Sequence, residues 1–175
     1  MEHRPRLHLL IAVALAFIAL AAPARVFMTQ QQALASAFPS GKYARQSVFL
    51  TPEQLAAAKK ESGVDFNDRL VVRYVGADGR FAYFDSHRVR TLPETIMVIV
   101  TPDARIERID ILSFDEPPDY FPRQRWIDQF RTRKLDDDLS LKKAIRPISG
   151  ASLTGVAIVN ASRKVLALHK VIEKK

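Results

Sequence analysis

The chain has 175 residues, 47% of them hydrophobic, and a formal charge of +8, a length that fits one domain plus a targeting segment and a composition that supports a packed core. It has no cysteine, which excludes disulfides, thiolate metal sites, iron–sulfur ligation and c-type haem attachment. Its histidines, His3, His8, His87 and His169, are scattered with no metal-ligand spacing, and its positive charge accompanies no recognisable nucleic-acid-binding module.

His3, Arg4 and Arg6 make a basic start, and Leu7 to Ala24 is apolar apart from His8 and Pro23. Ala22-Pro23-Ala24 supplies the small residues that a signal peptidase cuts. The apolar run is near the lower limit for spanning a bilayer. Residues 1–24 therefore read as a cleaved signal peptide or as a retained N-terminal membrane anchor. Basic residues ahead of the run predict the N-terminus inside and the domain periplasmic or otherwise extracytoplasmic. Residues 25–46 read as a connector, with a Gln/Ala stretch suited to a short helix that Pro39-Ser40-Gly41 ends. The domain proper is expected over 47–175.

Thr51-Pro52-Glu53-Gln54 is a helix start: Thr51 caps, Pro52 suits the first helical position, and Gln54 completes a capping box. Leu50 and Leu55 form the matching staple, and Gly63 is a stop. Two hairpins follow. Leu70 to Val75 and Arg80 to Phe84 flank the turn Gly76-Ala77-Asp78-Gly79; Thr95 to Val100 and Arg105 to Leu112 flank Thr101-Pro102-Asp103-Ala104. Pro117 and Pro118 favour an ordered loop or lid over Glu116 to Pro122. Pro122 to Phe130 reads as a short helix with Trp126, Ile127 and Phe130 on its apolar face, and Asp136-Asp137-Asp138 as a solvated turn. In the last segment Ile158, Ala161, Val165, Leu168 and Ile172 follow one another at spacings of three and four, the stripe of a helix that packs on a sheet. The fold class is α+β: a small antiparallel sheet packed by a C-terminal helix, after an N-terminal membrane or signal segment.

The final helix opens at Ile148-Ser149-Gly150-Ala151-Ser152-Leu153-Thr154. A helix N-terminus carries unpaired N–H groups and positive partial charge, so a phosphate settles there. Gly150 permits positive φ and close approach of a ligand. Serine ahead of a helix also commonly serves as an ordinary N-cap. Lys142, Lys143 and Arg146 precede this corner.

The string Ser149-Gly150-Ala151-Ser152-Leu153-Thr154 resembles the flavin-attachment motif of the FMN-binding domain family, which includes the flavin-carrying subunits of sodium-pumping NADH:quinone reductase and of Rnf electron-transport complexes. Arg88 to Met97, Phe114 to Pro122 and Arg125 to Phe130 resemble further segments of one branch of that family, so the likeness covers roughly residues 45 to 170. It implies FMN as cofactor, joined through its phosphate to the hydroxyl of Ser152. Ser149, Gly150, Ala151 and Leu153 would supply backbone N–H groups or close approach, and Thr154 a second hydroxyl or an ordinary first-turn residue. It also puts the loop of Glu116 and Tyr120 near the flavin, where an aromatic covers a ring. The alternatives are a packing role for Tyr120 and a salt bridge or cap for Glu116, which has no second catalytic group beside it in sequence. Glu94 lies in a matching block, which His87 immediately precedes; His87 reads as a contact to the ligand or to another redox partner, or as a surface or satisfied core histidine.

The implied function is electron transfer by an extracytoplasmic, membrane-associated flavoprotein, a carrier or redox-complex subunit with no catalytic residue and no metal of its own. Its partners would be a membrane electron donor or acceptor protein, a flavin transferase and the membrane, with no nucleic acid. The residue three positions before Ser149, acidic in the family's pattern, is Arg146 here. That departure favours an alternative: a non-redox binding or assembly module of the same fold with weak or no flavin.

Overall fold

The computed structural model describes residues 25–174. The expected signal or anchor at 1–24 lies outside the described residues, among which no helix is long and apolar enough to cross a membrane. The elements run β1 (Arg25–Val26), α1 (Gln30–Ala37), β2 (Tyr43–Phe49), α2 (Pro52–Ser62), β3 (Leu70–Gly76), β4 (Phe81–Arg88), β5 (Pro93–Val100), β6 (Ile106–Phe114), α3 (Gln124–Ile127) and α4 (Ser152–Glu173), with single 3₁₀ turns at Pro118–Tyr120 and Asp128–Phe130. The architecture is α+β, as the periodicities predict. One antiparallel sheet of six strands has the order β1-β6-β5-β4-β3-β2.

Four of these strands are the two expected hairpins, each extended at its ends. Gly79 turns the first at φ 82°, and Ala104, a non-glycine at φ 58°, turns the second. β1 and β2 come from the stretch read as a connector and from the residues just beyond it. β2 is an edge strand, paired with β3 from Tyr43↔Gly76 to Phe49↔Leu70 and exposed along nearly its whole length. An edge strand needs backbone partners more than buried side chains, so its sequence carries little alternation. α1 starts at a capping box between Thr29 and Gln32 and packs Ala33, Leu34, Ala37 and Phe38 against Tyr74, Ala82, Met97, Ile99 and Leu112. It closes one face of the sheet.

The other face carries α4 and α2. α2 begins and ends as its sequence signals require: Thr51 Oγ1 accepts from Gln54 N–H at 3.1 Å, and Gly63 closes the helix at φ 68°. α4 lays Ile158, Ala161, Val165 and Leu168 on Val98, Val100, Ile106 and Ile109, with Ile172 half-buried. Each fully buried aliphatic of this size stabilises the fold by roughly 1.5–3 kcal/mol. The helix also buries Val159, Leu166 and Val171, because α2 covers its flank. Between the sheet and the start of α4, the long segment after Phe130 is fixed by buried Leu139 and Ile145 and by Arg163. The Arg163 guanidinium donates to the carbonyls of Asp136, Leu139 and Ser62. α4 thereby sets the direction from which the chain re-enters at Ser149.

Candidate functional site

The N-terminus of α4 has no side-chain cap. Ala151 occupies the cap position at φ −128°, ψ 43°, and its carbonyl accepts the N–H of Gly155 at 3.2 Å. Gly150 precedes it at φ 79°, with open space where a Cβ would stand. Its glycine is therefore required by backbone conformation and not by crowding. Neither Ser149 nor Ser152 acts as the ordinary N-cap. Ser152 is the first residue of the helix and is exposed, and Leu153 beside it is 49% exposed.

Gly150, Ala151, Ser152, Leu153 and Thr154 line one wall of a cleft of about 240 Å³, and Arg90 and Tyr120 line the other. Thr154 is buried, and its hydroxyl donates to the carbonyl of Tyr120 at 2.9 Å. The Arg90 guanidinium lies over the Tyr120 ring, 5.2 Å from its centroid, and donates to the Tyr120 hydroxyl at 3.0 Å. Cation and ring hold each other, and the charge stands beside the uncapped helix end.

Glu116 is buried and does not line this cleft. Its Oε1 accepts the backbone N–H groups of Arg90, Thr91 and Leu92 at 3.0, 2.8 and 2.9 Å. Burial opposes its ionisation, but the amides of Leu92, Thr91 and Arg90 outweigh it and hold the carboxyl below the usual carboxylate range. Glu116 therefore positions the β4–β5 loop that carries Arg90. Ser149 is exposed and lines the adjoining groove instead. Seven of the eight residues singled out in sequence thus lie at the cleft or its rim, and Glu116 acts one layer behind them.

Sequence reasoning missed Arg90 as a site residue. Its only signal was membership in the block Arg88 to Met97. It also missed the role of Trp126 and Gln129. The Trp126 indole N–H donates to the Arg146 carbonyl, and Gln129 Oε1 accepts the Arg146 N–H at 2.9 Å. These two bonds fix the chain three residues ahead of Ser149.

His87 and Glu94 are not at the cleft. His87 Nδ1 lies 2.9 Å from Asp85 Oδ1, and its Nε2 lies 3.0 Å from Glu94 Oε2. Lys164 on α4 reaches Asp85 Oδ2 at 2.6 Å. Burial works against a charge on His87, but the bonds to Asp85 and Glu94 prevail and push its pKa up to about 9. Burial likewise pushes the Glu94 carboxyl up, partly countered by His87. This is a buried charge network joining β4, β5 and α4. A separate wedge of about 740 Å³ opens where the β3–β4 ladder stops at Arg73↔Tyr83, over Lys164, Val165 and Leu168. It lies about 18 Å along α4 from Ser152.

Among the described residues no cluster of His, Cys, Asp or Glu is arranged to hold a metal ion. Compared with protein-family models, curated proteins and solved structures, the chain matches none.

Proposed function

We propose that the protein is an extracytoplasmic, membrane-associated electron-transfer flavoprotein, and that Ser152 carries FMN through a phosphoester. The observation that carries this reading is an uncapped helix N-terminus with an exposed serine at its first position and an arginine facing it. The residues present fit the group. Helix-end N–H groups and Arg90 supply positive charge for a phosphate. Ser152 offers a free oxygen, whereas the Thr154 hydroxyl is already engaged with Tyr120. The cleft, about 240 Å³, is smaller than the ~300–1,000 Å³ typical of enclosing ligand pockets. It suits a phosphate and its linker, with a larger ring system left accessible to a redox partner.

FMN would supply the redox chemistry itself. The chain's own residues hold the anion, anchor the linker and present the ring. The resemblance in Ser149 to Thr154 and in the upstream blocks supports the cofactor's identity, and the basic start before Leu7 supports export. A flavin transferase, a membrane electron donor or acceptor and the membrane are the partners this reading requires. The ester would form by transfer from a flavin adenine dinucleotide: its pyrophosphate bond breaks as the Ser152 oxygen–phosphorus bond forms, AMP leaves and the hydroxyl proton passes to solvent. The test is to produce the full chain together with a flavin transferase and record its visible absorption in native buffer. Flavin bands at one equivalent per chain are expected. A colourless protein that also takes up no added FMN overturns the reading.

A further inference from the structure

Beside the cleft, on the far side of Ser149, lies a groove of about 1010 Å³. Arg123, Arg125, Arg133 and Arg146 line it, with Trp126 and Phe121 between them. Elsewhere among the described residues five arginines pair with carboxylates: Arg73 with Glu173, Arg80 with Asp78 and Glu107, Arg105 with Asp103, Arg108 with Asp110 and Arg131 with Asp128. The others, Arg25, Arg45, Arg69, Arg88, Arg90 and Arg163, have no such pair but do not gather in one concavity as the groove arginines do. Among the described residues none of the four groove arginines pairs with a carboxylate, and Asp119 is the one acidic residue in the lining. Arg123, Arg125 and Arg146 are exposed. The backbone beneath them is rigid, because Trp126 and Gln129 both bind the main chain of Arg146 and Arg133 donates to the carbonyl of Gln129 at 3.0 Å.

We propose that this groove is the docking surface for an acidic protein partner whose carboxylates meet Arg123, Arg125, Arg133 and Arg146 at the edge of the Ser152 corner. Charge complementarity selects the partner. Four guanidiniums without a carboxylate partner, of which Arg133 is partly engaged by the carbonyls of Gln129 and Ala144, concentrate positive potential in one concavity, which steers an acidic face and fixes its register. The choice of arginine over lysine fits carboxylates, since the guanidinium fork binds them bidentately. Arginine beside tryptophan is the composition of protein interface centres. A flat anionic membrane does not enter a concave groove as a protruding acidic segment does. The proposal rests on the flavoprotein reading only for the partner's redox role, because docking itself needs no flavin.

The test uses flavin-free and flavin-loaded full chain, with a decaglutamate peptide as probe. Trp126 is the only tryptophan in the sequence, so its fluorescence reports binding in the groove. Binding should perturb Trp126 and the amide resonances of residues 123–129 and 146–149, and should weaken as salt rises. Arg125→Glu with Arg146→Glu should lower affinity roughly tenfold or more, while Arg45→Glu with Lys60→Glu, the same change in net charge elsewhere, should change it less than about twofold. Arg125→Gln with Arg146→Gln repeats the test should the glutamate pair unfold. Equal losses in both pairs would reduce the effect to net charge and overturn the proposal. So would a groove variant that loses binding to phosphatidylglycerol vesicles while keeping it for decaglutamate. Docking without flavin binding would overturn the redox reading and leave the surface standing.

Discussion

Thr154, the third residue of α4, donates its hydroxyl to the carbonyl of Tyr120 at 2.9 Å and so ties the helix start to the loop opposite it. The bond sets the width of the cleft between Ser152 and Arg90, since Arg90 rests on the Tyr120 ring. Thr154→Val keeps the shape and removes the donor, leaving a half-buried carbonyl without its partner. The expected cost is about 1 kcal/mol, a fall in Tm of roughly 2–4 °C for a domain of this size. Flavin attachment should persist, because the proposed acceptor is the Ser152 hydroxyl. Thermal melts of the two proteins check the first statement and denaturing-gel fluorescence the second.

Glu116 satisfies three consecutive amides of the β4–β5 loop with one oxygen. Glu116→Ala leaves those donors unpaired and should destabilise the protein by about 1–3 kcal/mol. Hydrogen exchange is the informative measurement. Exchange at Arg90, Thr91 and Leu92 should accelerate far more than in β5, and retention of FMN phosphate should weaken because Arg90 is no longer held. Unchanged exchange at those amides would show that the loop is fixed by other contacts.

The His87 network predicts a pH dependence. A histidine in an unfolded chain titrates near 6.5, and the folded pKa is pushed up to about 9. The folded state then binds the proton more tightly, so this contribution to stability is complete below about 6.5 and is lost as pH rises through about 9. The groups facing His87 are Asp85, Glu94 and, through Asp85, Lys164. Loss of the imidazolium leaves Asp85 and Glu94 on either side of a neutral ring. Stability should therefore fall between pH 7 and pH 10, and the difference between wild type and His87→Gln should shrink over the same range. An NMR titration of the His87 ring should give a midpoint close to 9. A midpoint at or below 6.5 would mean that burial, not the carboxylates, governs the site.

Local signals in the sequence were strong where the backbone chemistry is local. The capping box at Thr51 and Gln54, the left-handed stop at Gly63 and the turn at Gly79 all lie where the residue types put them. The stripe Ile158, Ala161, Val165 and Leu168 faces the sheet. β4 runs on from Phe84 to Arg88, past its expected end, because Asp85 and His87 look like surface residues until the partners that bury them are known. The corner at Ser149 to Thr154 was legible as a contiguous string. Arg90 was not, since only the fold brings it to Ser152, through a carboxylate at Glu116 and an aromatic ring at Tyr120. The capping box at Thr29 and Gln32 is a local signal of the same kind, inside the stretch that reads as a connector.

The central claim is that Ser152 bears FMN as an ester, and one measurement tests it most directly. The full chain and its Ser149→Ala, Ser152→Ala and Thr154→Ala variants are each produced with a flavin transferase, denatured, and examined for flavin fluorescence on a gel. An ester survives denaturation, whereas a phosphate held by helix-end charge and hydrogen bonds does not. Wild type, Ser149→Ala and Thr154→Ala should fluoresce; Ser152→Ala should be dark while melting like the parent. Fluorescence that persists in Ser152→Ala, or a wild-type band that is dark although the native protein is yellow, would contradict the ester at Ser152.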